Sequence, residues 1–265
     1  MEAGKIGALL VYNANPSYSL PNATNFNEAL KQVKLSVSFG MSHDETAMQT
    51  QFVATTPHYL ESWGDAQFQA GNFSLMQPTI QPLFDTRQFE ESLLNWMGAT
   101  KTYYQFIKEN WSETILTEGS WNNALHDGIY STNIEVSIVK NELDIALSTA
   151  SLLSETKTTN FELNVYAKIS LGDGKQANNP WLQELPDPIT RTSWDNYITI
   201  SAVDAAALGL ENWNVSDGAL NGSKVNLKVG ETSLQNVPVL IQPGQAKGSI
   251  GLAIGYGRTA GMQQE

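Results

Sequence analysis

The chain has 265 residues, a net charge of −12, an isoelectric point near 4.7 and no cysteine. That charge disfavours nucleic acid and anionic membrane surfaces, which demand clustered Lys and Arg, and the missing cysteines exclude disulfides, thiolate zinc sites and iron–sulfur ligation within these residues. No apolar run approaches the roughly 20 residues of a membrane-spanning helix, and 41% hydrophobic residues suffice for a sizeable core, in one large domain or two.

The N-terminus lacks a basic start followed by a cleavage site, so the apolar run Ile6–Tyr12 reads as a strand rather than a signal peptide. Its continuity predicts burial on both faces. Lys5 leads almost at once into this strand, and few residues follow Gly261, so an internal piece of a longer protein is expected. Asn13–Thr24 is a predicted loop. Phe26, Ala29, Leu30 and Val33 recur at helical spacing, Leu35–Met41 is a second strand, Glu45–Gln51 a short helix and Phe52–Ala54 a third strand. This βαβαβ order predicts a small parallel sheet.

Helices follow. Phe89, Leu93, Leu94 and Met97 share a face, with Asp85 or Thr86 as cap and Gly98 as stop. Tyr103, Phe106, Ile107 and Trp111 form another face. Ser120 opens a third helix that Gly128 ends. From about Ile134 the period becomes two. Phe161, Leu163, Val165, Ala167, Ile169 and Leu171 alternate with mostly polar neighbours. Further strands are predicted at Tyr197–Ile200, Lys224–Val229, Val237–Gln242 and Ser249–Ile254, with a short helix Val203–Leu208 after Ser201. The second half is therefore a β-rich barrel or sandwich, and the domain boundary falls in residues 128–160.

Three histidines, His43, His58 and His126, lack the spacing of helical metal ligands. Ser42–Glu45 (SHDE) reads as a solvated loop or helix cap, with metal ligation as the alternative. Pro57–Asp65 (PHYLESWGD) reads as a strand-to-loop segment with packed aromatics, with a carboxylate pair or a sugar platform as the alternatives. The sequence has no G-x-S-x-G elbow and no thiol, so the usual nucleophiles are absent. Ile254–Gly261 (IGYGRTAG) is one residue off a dinucleotide-binding spacing. No helix can follow it here, so its glycines are expected to bend a strand and let backbones approach closely. Tyr12–Pro21 (YNANPSYSLP) leads off the carboxyl end of the first strand, where open parallel sheets bind ligands. Its Asn and Ser groups form either a plain turn or a site for a nucleotide or pterin.

Several stretches together resemble the molybdopterin oxidoreductase family. ALLVYNANPSYSLP (Ala8–Pro21) is similar to the family's strand-loop GxNPxxSxP, with Asn13 in place of the usual Gly. Glu45, Thr46, Ala47, Pro57 and Glu61 match its ETAxxADxxLPxxxxxE segment, Ile198–Leu210 (ITISAVDAAALGL) its ISPxDAxxLGI opening, and Val237–Gly261 its closing strands. Asn179–Tyr197 (NPWLQELPDPITRTSWDNY) and IGYGRTAG further resemble the fused molybdopterin-type and iron–sulfur subunit of alternative complex III, a quinol-oxidising respiratory complex.

The resemblance implies an α/β fold followed by mainly β: a partial doubly wound parallel sheet with added helices over residues 1–130, then a C-terminal β-barrel domain over 131–265. It implies Asn15, Ser17, Glu45 and Thr46 at the nucleotide end of a molybdopterin guanine dinucleotide, as a vestigial site in a scaffold that has lost the cofactor. Iron–sulfur clusters would lie in the parent protein outside these residues. The partners would be cytochrome c and membrane subunits, on the periplasmic side of the membrane. Two alternatives stand beside it: a cofactor-bearing enzyme of the polysulfide or thiosulfate reductase type, and a secreted sugar-binding module.

Overall fold

The computed structural model describes residues 1, 3–133, 149 and 160–260. The chain forms two compact units, Met1–Glu142 and Leu143–Glu265. The change of period expected near Ile134 lies outside the described residues. No helix among the described residues is long and apolar enough to cross a membrane.

In the first unit, β1 (Ala8–Tyr12), β2 (Leu35–Gly40) and β3 (Phe52–Thr55) form a parallel sheet in that order. Val37 lies beside both Leu10 and Phe52. The crossover from β1 to β2 runs through α1 (Pro16–Ser19) and α2 (Ala23–Leu30). Between β2 and β3 the chain makes only a 3-10 turn, Ala47–Gln49, where a short helix was expected. Central β2 buries Ser36, Val37, Ser38 and Phe39. β1 departs from its reading: only Val11 is buried, and Leu10 and Tyr12 are 38% and 44% exposed. The strand is a sheet edge, so its unbroken apolar run does not report burial on both faces.

Tyr12 stacks on Phe89 at 4.5 Å, and Phe39 meets Phe89 edge-on. This packing places α3 (Phe89–Trp96) against the sheet. Its N-cap residue is Gln88, not Asp85 or Thr86. The Gln88 side-chain amide donates to the Trp63 carbonyl at 2.8 Å rather than capping.

An antiparallel sheet, β4 (Gly64–Gln69), β5 (Asn72–Met76) and β6 (Ile129–Ser131), was not foreseen. It backs a helical pair, α4 (Tyr103–Asn110) and α5 (Trp121–Asp127), and the buried core there is Ile107, Trp121 and Ala124 with Trp111 of the π-helical turn Trp111–Ile115 that continues α4. Helix starts here follow local chemistry. The Thr102 hydroxyl accepts from the Gln105 N–H while Gln105 accepts from the Thr102 N–H. Ser120 accepts from the Asn123 N–H, and Gly128 ends α5 at φ +71°.

Among its described residues the second unit holds seven strands: β7 (Glu162–Ala167), β8 (Ile198–Ile200), β9 (Asn212–Asn214), β10 (Leu220–Gly222), β11 (Lys224–Val229), β12 (Thr232–Ile241) and β13 (Ser249–Ile254). Two short helices among the same residues are α6 (Pro180–Glu184) and α7 (Ala202–Leu208). Five strands make one mixed sheet, in the order β11, β12, β8, β13, β7; β9 and β10 pair separately. Among the described residues this sheet is open and does not close into the expected barrel. One face packs Ile198, Ile200, Val237, Val239 and Ile250 with Ala205 of α7. Side chains alternate across a strand, so Asn164, Thr199 and Gly251, which lie in register across β7, β8 and β13, share the opposite face. The alternation read over Phe161–Leu171 stops at Ala167: Lys168 turns inward at 5% exposure, and Ile169 is 80% exposed.

The start of α7 also sets an acid limit on stability. Ser201 caps the helix through the Asp204 N–H at 3.1 Å and donates to the Asp204 carboxylate at 2.6 Å; the Gly248 N–H donates to the same carboxylate at 2.7 Å. The Ser201 hydroxyl, then the Gly248 amide, hold this carboxyl below its ordinary 3.8 against the opposing effect of burial. A carboxyl depressed in the folded state stabilises above its unfolded pKa and loses that contribution as pH falls through the folded value. Urea midpoints measured through the acid range are therefore expected to drop for the parent chain, and to drop less steeply for Asp204→Asn.

Candidate functional site

β1 ends in a sharp change of direction. Asn13 lies in the left-handed region at φ +52°, and its N–H donates to the Phe39 carbonyl at 3.1 Å. This is the position where the family pattern carries Gly. Asn tolerates that region better than other side chains, so the turn survives the exchange. Asn13→Gly is expected to leave thermal stability nearly unchanged, whereas Asn13→Val should cost about 1–2 kcal/mol. Equal melting temperatures for the two variants would refute this account of the turn.

The turn delivers Asn15 and Ser17 to the loop that follows β2. All four residues named from the sequence meet there. Asn15 Nδ2 donates to Glu45 Oε2 at 2.7 Å. Asn15 Oδ1 accepts from the Thr46 N–H at 3.1 Å and from the Thr46 hydroxyl at 2.7 Å. The Thr46 oxygen in turn accepts from the Ser17 N–H at 3.0 Å. The Ser17 hydroxyl donates to Asn27 Oδ1 at 2.7 Å. Thr46 is fully buried; Asn15, Ser17 and Glu45 are partly buried.

A dinucleotide needs amide or hydroxyl donors and positive charge for its phosphates. The donors of this cluster are engaged with one another. The two loops, residues 13–22 and 41–51, carry no Lys or Arg and do carry Asp44 and Glu45. These loops therefore offer no basic partner to a dinucleotide phosphate, and in this structure the cluster cross-links two loops of a parallel sheet.

The other sequence candidates are used locally. Glu61 accepts from the N–H groups of His58 and Leu83, and His58 Nδ1 accepts from the Leu60 N–H. Asp65 accepts from the Trp111 indole at 2.8 Å, and Trp63 packs on Tyr104. Glu61 and Asp65 are thus each engaged in hydrogen bonds that hold the local structure. Among the described residues, no three His, Asp or Glu side chains are placed to hold a metal.

The glycine stretch that leaves β13 does bring backbones together. Gly255 sits at φ +95°, and a Cβ there would lie 3.0 Å from the Gly172 carbonyl oxygen. Arg258 donates to the Gly174 carbonyl at 2.8 Å, and Lys168 Nζ donates to the Tyr256 hydroxyl at 2.9 Å. The Lys168 ammonium also lies 4.1 Å from the Tyr197 ring centroid. Burial pushes the Lys168 ammonium below its ordinary pKa, with nearby Asp187 partly opposing the shift. Nothing in the strand pattern signalled this buried lysine. The aromatic neighbours that hold it come from distant positions.

The fold defined by these units is shared with acetylene hydratase from Pelobacter acetylenicus, with a TM-score of 0.65 over 94% of this chain and 37% of that one, at 14% sequence identity. A stretch of 91 residues is 38% identical to the menaquinone reductase, molybdopterin-binding-like subunit of Nitratidesulfovibrio vulgaris. That stretch covers 33% of this chain and 13% of that protein. No protein-family model matches the chain. The structural likeness shows the fold, and the 91-residue similarity supports the resemblance to molybdopterin-binding-like proteins over that stretch.

Proposed function

We propose that this chain belongs to a molybdopterin oxidoreductase-like subunit of a quinone-linked respiratory complex, and that it serves there as a scaffold without a cofactor of its own. The 91-residue similarity to a molybdopterin-binding-like subunit of a menaquinone reductase carries the reading. The self-satisfied cluster at Asn15, Ser17, Glu45 and Thr46 supports the scaffold role. Electron transfer would run through iron–sulfur clusters and haems held elsewhere in such a complex, as in the alternative complex III type. The second unit would correspond to the family's C-terminal barrel domain. The net charge of −12 suits basic partners such as a cytochrome c subunit, on the periplasmic side of the membrane.

The test is elemental. The parent complex, purified from its own membranes, is expected to contain iron and haem but no molybdenum and no releasable pterin. Stoichiometric molybdenum with pterin would overturn the scaffold role and favour a cofactor-bearing enzyme.

A further inference from the structure

The polar face of the five-stranded sheet carries a cleft of about 450 Å³ that the role above does not use. Its floor is Gly251. A Cβ there would lie 2.4 Å from Thr199 Oγ1 and 3.3 Å from the Tyr166 ring, so only glycine leaves the space open. Asn164 and Thr199 flank Gly251 on the neighbouring strands. One wall is the turn that begins at Asp187. Asp187 Oδ1 accepts from the N–H groups of Ile189 and Thr190, both at 2.9 Å, and from the Thr190 hydroxyl at 3.2 Å. The opposite wall is the turn Gln242–Gln245, with Gln245 fixed by two hydrogen bonds to the carbonyls of Thr199 and Ser249.

Several polar groups that line this cleft have no partner within the described residues. Thr199 is 7% exposed, and its hydroxyl makes no hydrogen bond. Asp187 is 9% exposed, and the hydrogen bonds of its carboxylate all fall on Oδ1. The Tyr166 hydroxyl and the Asn164 amide are likewise unpaired. None of these atoms is sealed from solvent; they converge on one cavity with donor and acceptor capacity that the described residues leave uncommitted, and a ligand entering the cleft can take it up.

The chemistry of that ligand follows from the lining. No Lys or Arg lines the cleft, which disfavours phosphates and carboxylates. Asp187 already feels the Lys168 ammonium, so it does not call for a cationic ligand. What remains is a mixed set of donors and acceptors beside the apolar surfaces of Tyr166, Ile189 and Ile250. Hydroxyl groups both donate and accept, and a ring of C–H groups suits those surfaces. We propose that the cleft floored by Gly251 binds a small neutral polyhydroxylated ligand of mono- to disaccharide size, held by Asn164, Tyr166, Asp187 and Thr199.

The test is saturation-transfer NMR on the whole chain with glucose, mannose, sucrose and trehalose, with GDP as the anionic comparison. At least one saccharide is expected to receive saturation and to bind with millimolar affinity, and Asn164→Ala and Thr199→Val should each weaken it about tenfold while leaving the melting curve in place. Asn164 is exposed, and Val matches Thr in shape, so both variants should fold. Gly251→Ala should abolish binding if it folds. No transfer to any of the four saccharides, transfer to GDP alone, or saccharide binding that survives both Asn164→Ala and Thr199→Val would overturn the proposal.

Discussion

Replacing Asn15 by Ala is expected to destabilise the first unit by about 2–4 kcal/mol, because it strips the acceptor from two donors of Thr46 at once. Thr46 is fully buried, and its N–H and hydroxyl both point at Asn15 Oδ1. Water cannot replace that acceptor without entering the fold. Ser17→Ala removes only a partly buried hydroxyl bond to Asn27 and should cost about 1 kcal/mol or less. Urea denaturation followed by far-UV circular dichroism separates the two variants. The comparison also bears on function. In a scaffold the cluster stabilises the free protein, so Asn15→Ala loses stability with no ligand present. In a cofactor site the same variant would chiefly change cofactor retention. An Asn15→Ala midpoint equal to that of the parent would therefore remove the structural role argued for the cluster.

A second large effect is expected at Trp111. Its side chain has no exposed surface, its indole N–H donates to Asp65, and its ring meets Phe73 and Trp121 edge-on, both at 6.1 Å. Trp111→Ala should cost about 3–5 kcal/mol, as truncation of a buried aromatic leaves a cavity. Trp111→Phe keeps much of the packing and frees Asp65, which is exposed and can turn to water, so about 1–2 kcal/mol is expected. The near-UV dichroism of the aromatic cluster should weaken in the Phe variant and collapse in the Ala variant. Similar losses for the two would mean that the hydrogen bond, rather than the packing, holds this core.

Two helix starts were legible because their ends are chemical. Ser120 and Ser201 cap, and Gly128 stops, by bonds that span only a few residues. The β4–β5–β6 sheet was not legible, and the reason is specific. The β4–β5 pairing slips between Gln67 and Gln69, so Phe68 becomes an extra residue and is 88% exposed. A bulge of this kind breaks the period of two that sequence reading relies on. Asp65 and Gln67 further dilute the apolar signal. At the candidate site, the identity of Asn15, Ser17, Glu45 and Thr46 came from the family resemblance. Their mutual bonding spans about thirty positions, beyond any local periodicity. The cleft on the second unit was hidden for a similar reason. Gly251 reads as a strand glycine, but what its missing side chain makes room for depends on which strands lie beside it.

The position of β13 has a consequence for how this unit comes into being. The last strand of the described chain is not at the margin of its sheet but between β8 and β7, antiparallel to one and parallel to the other. During synthesis β7 and β8 emerge long before the strand that joins them, and each waits with an unpaired flank. Ile250 must then find Leu163 on one side and Ile200 on the other, contacts of high sequence separation that form slowly. The sheet can be completed only after the rest of the unit has left the ribosome. A nascent chain arrested before Ser249 would display an open flank on β8 and a β7 without its partner strand, the kind of surface that aggregates or recruits a chaperone.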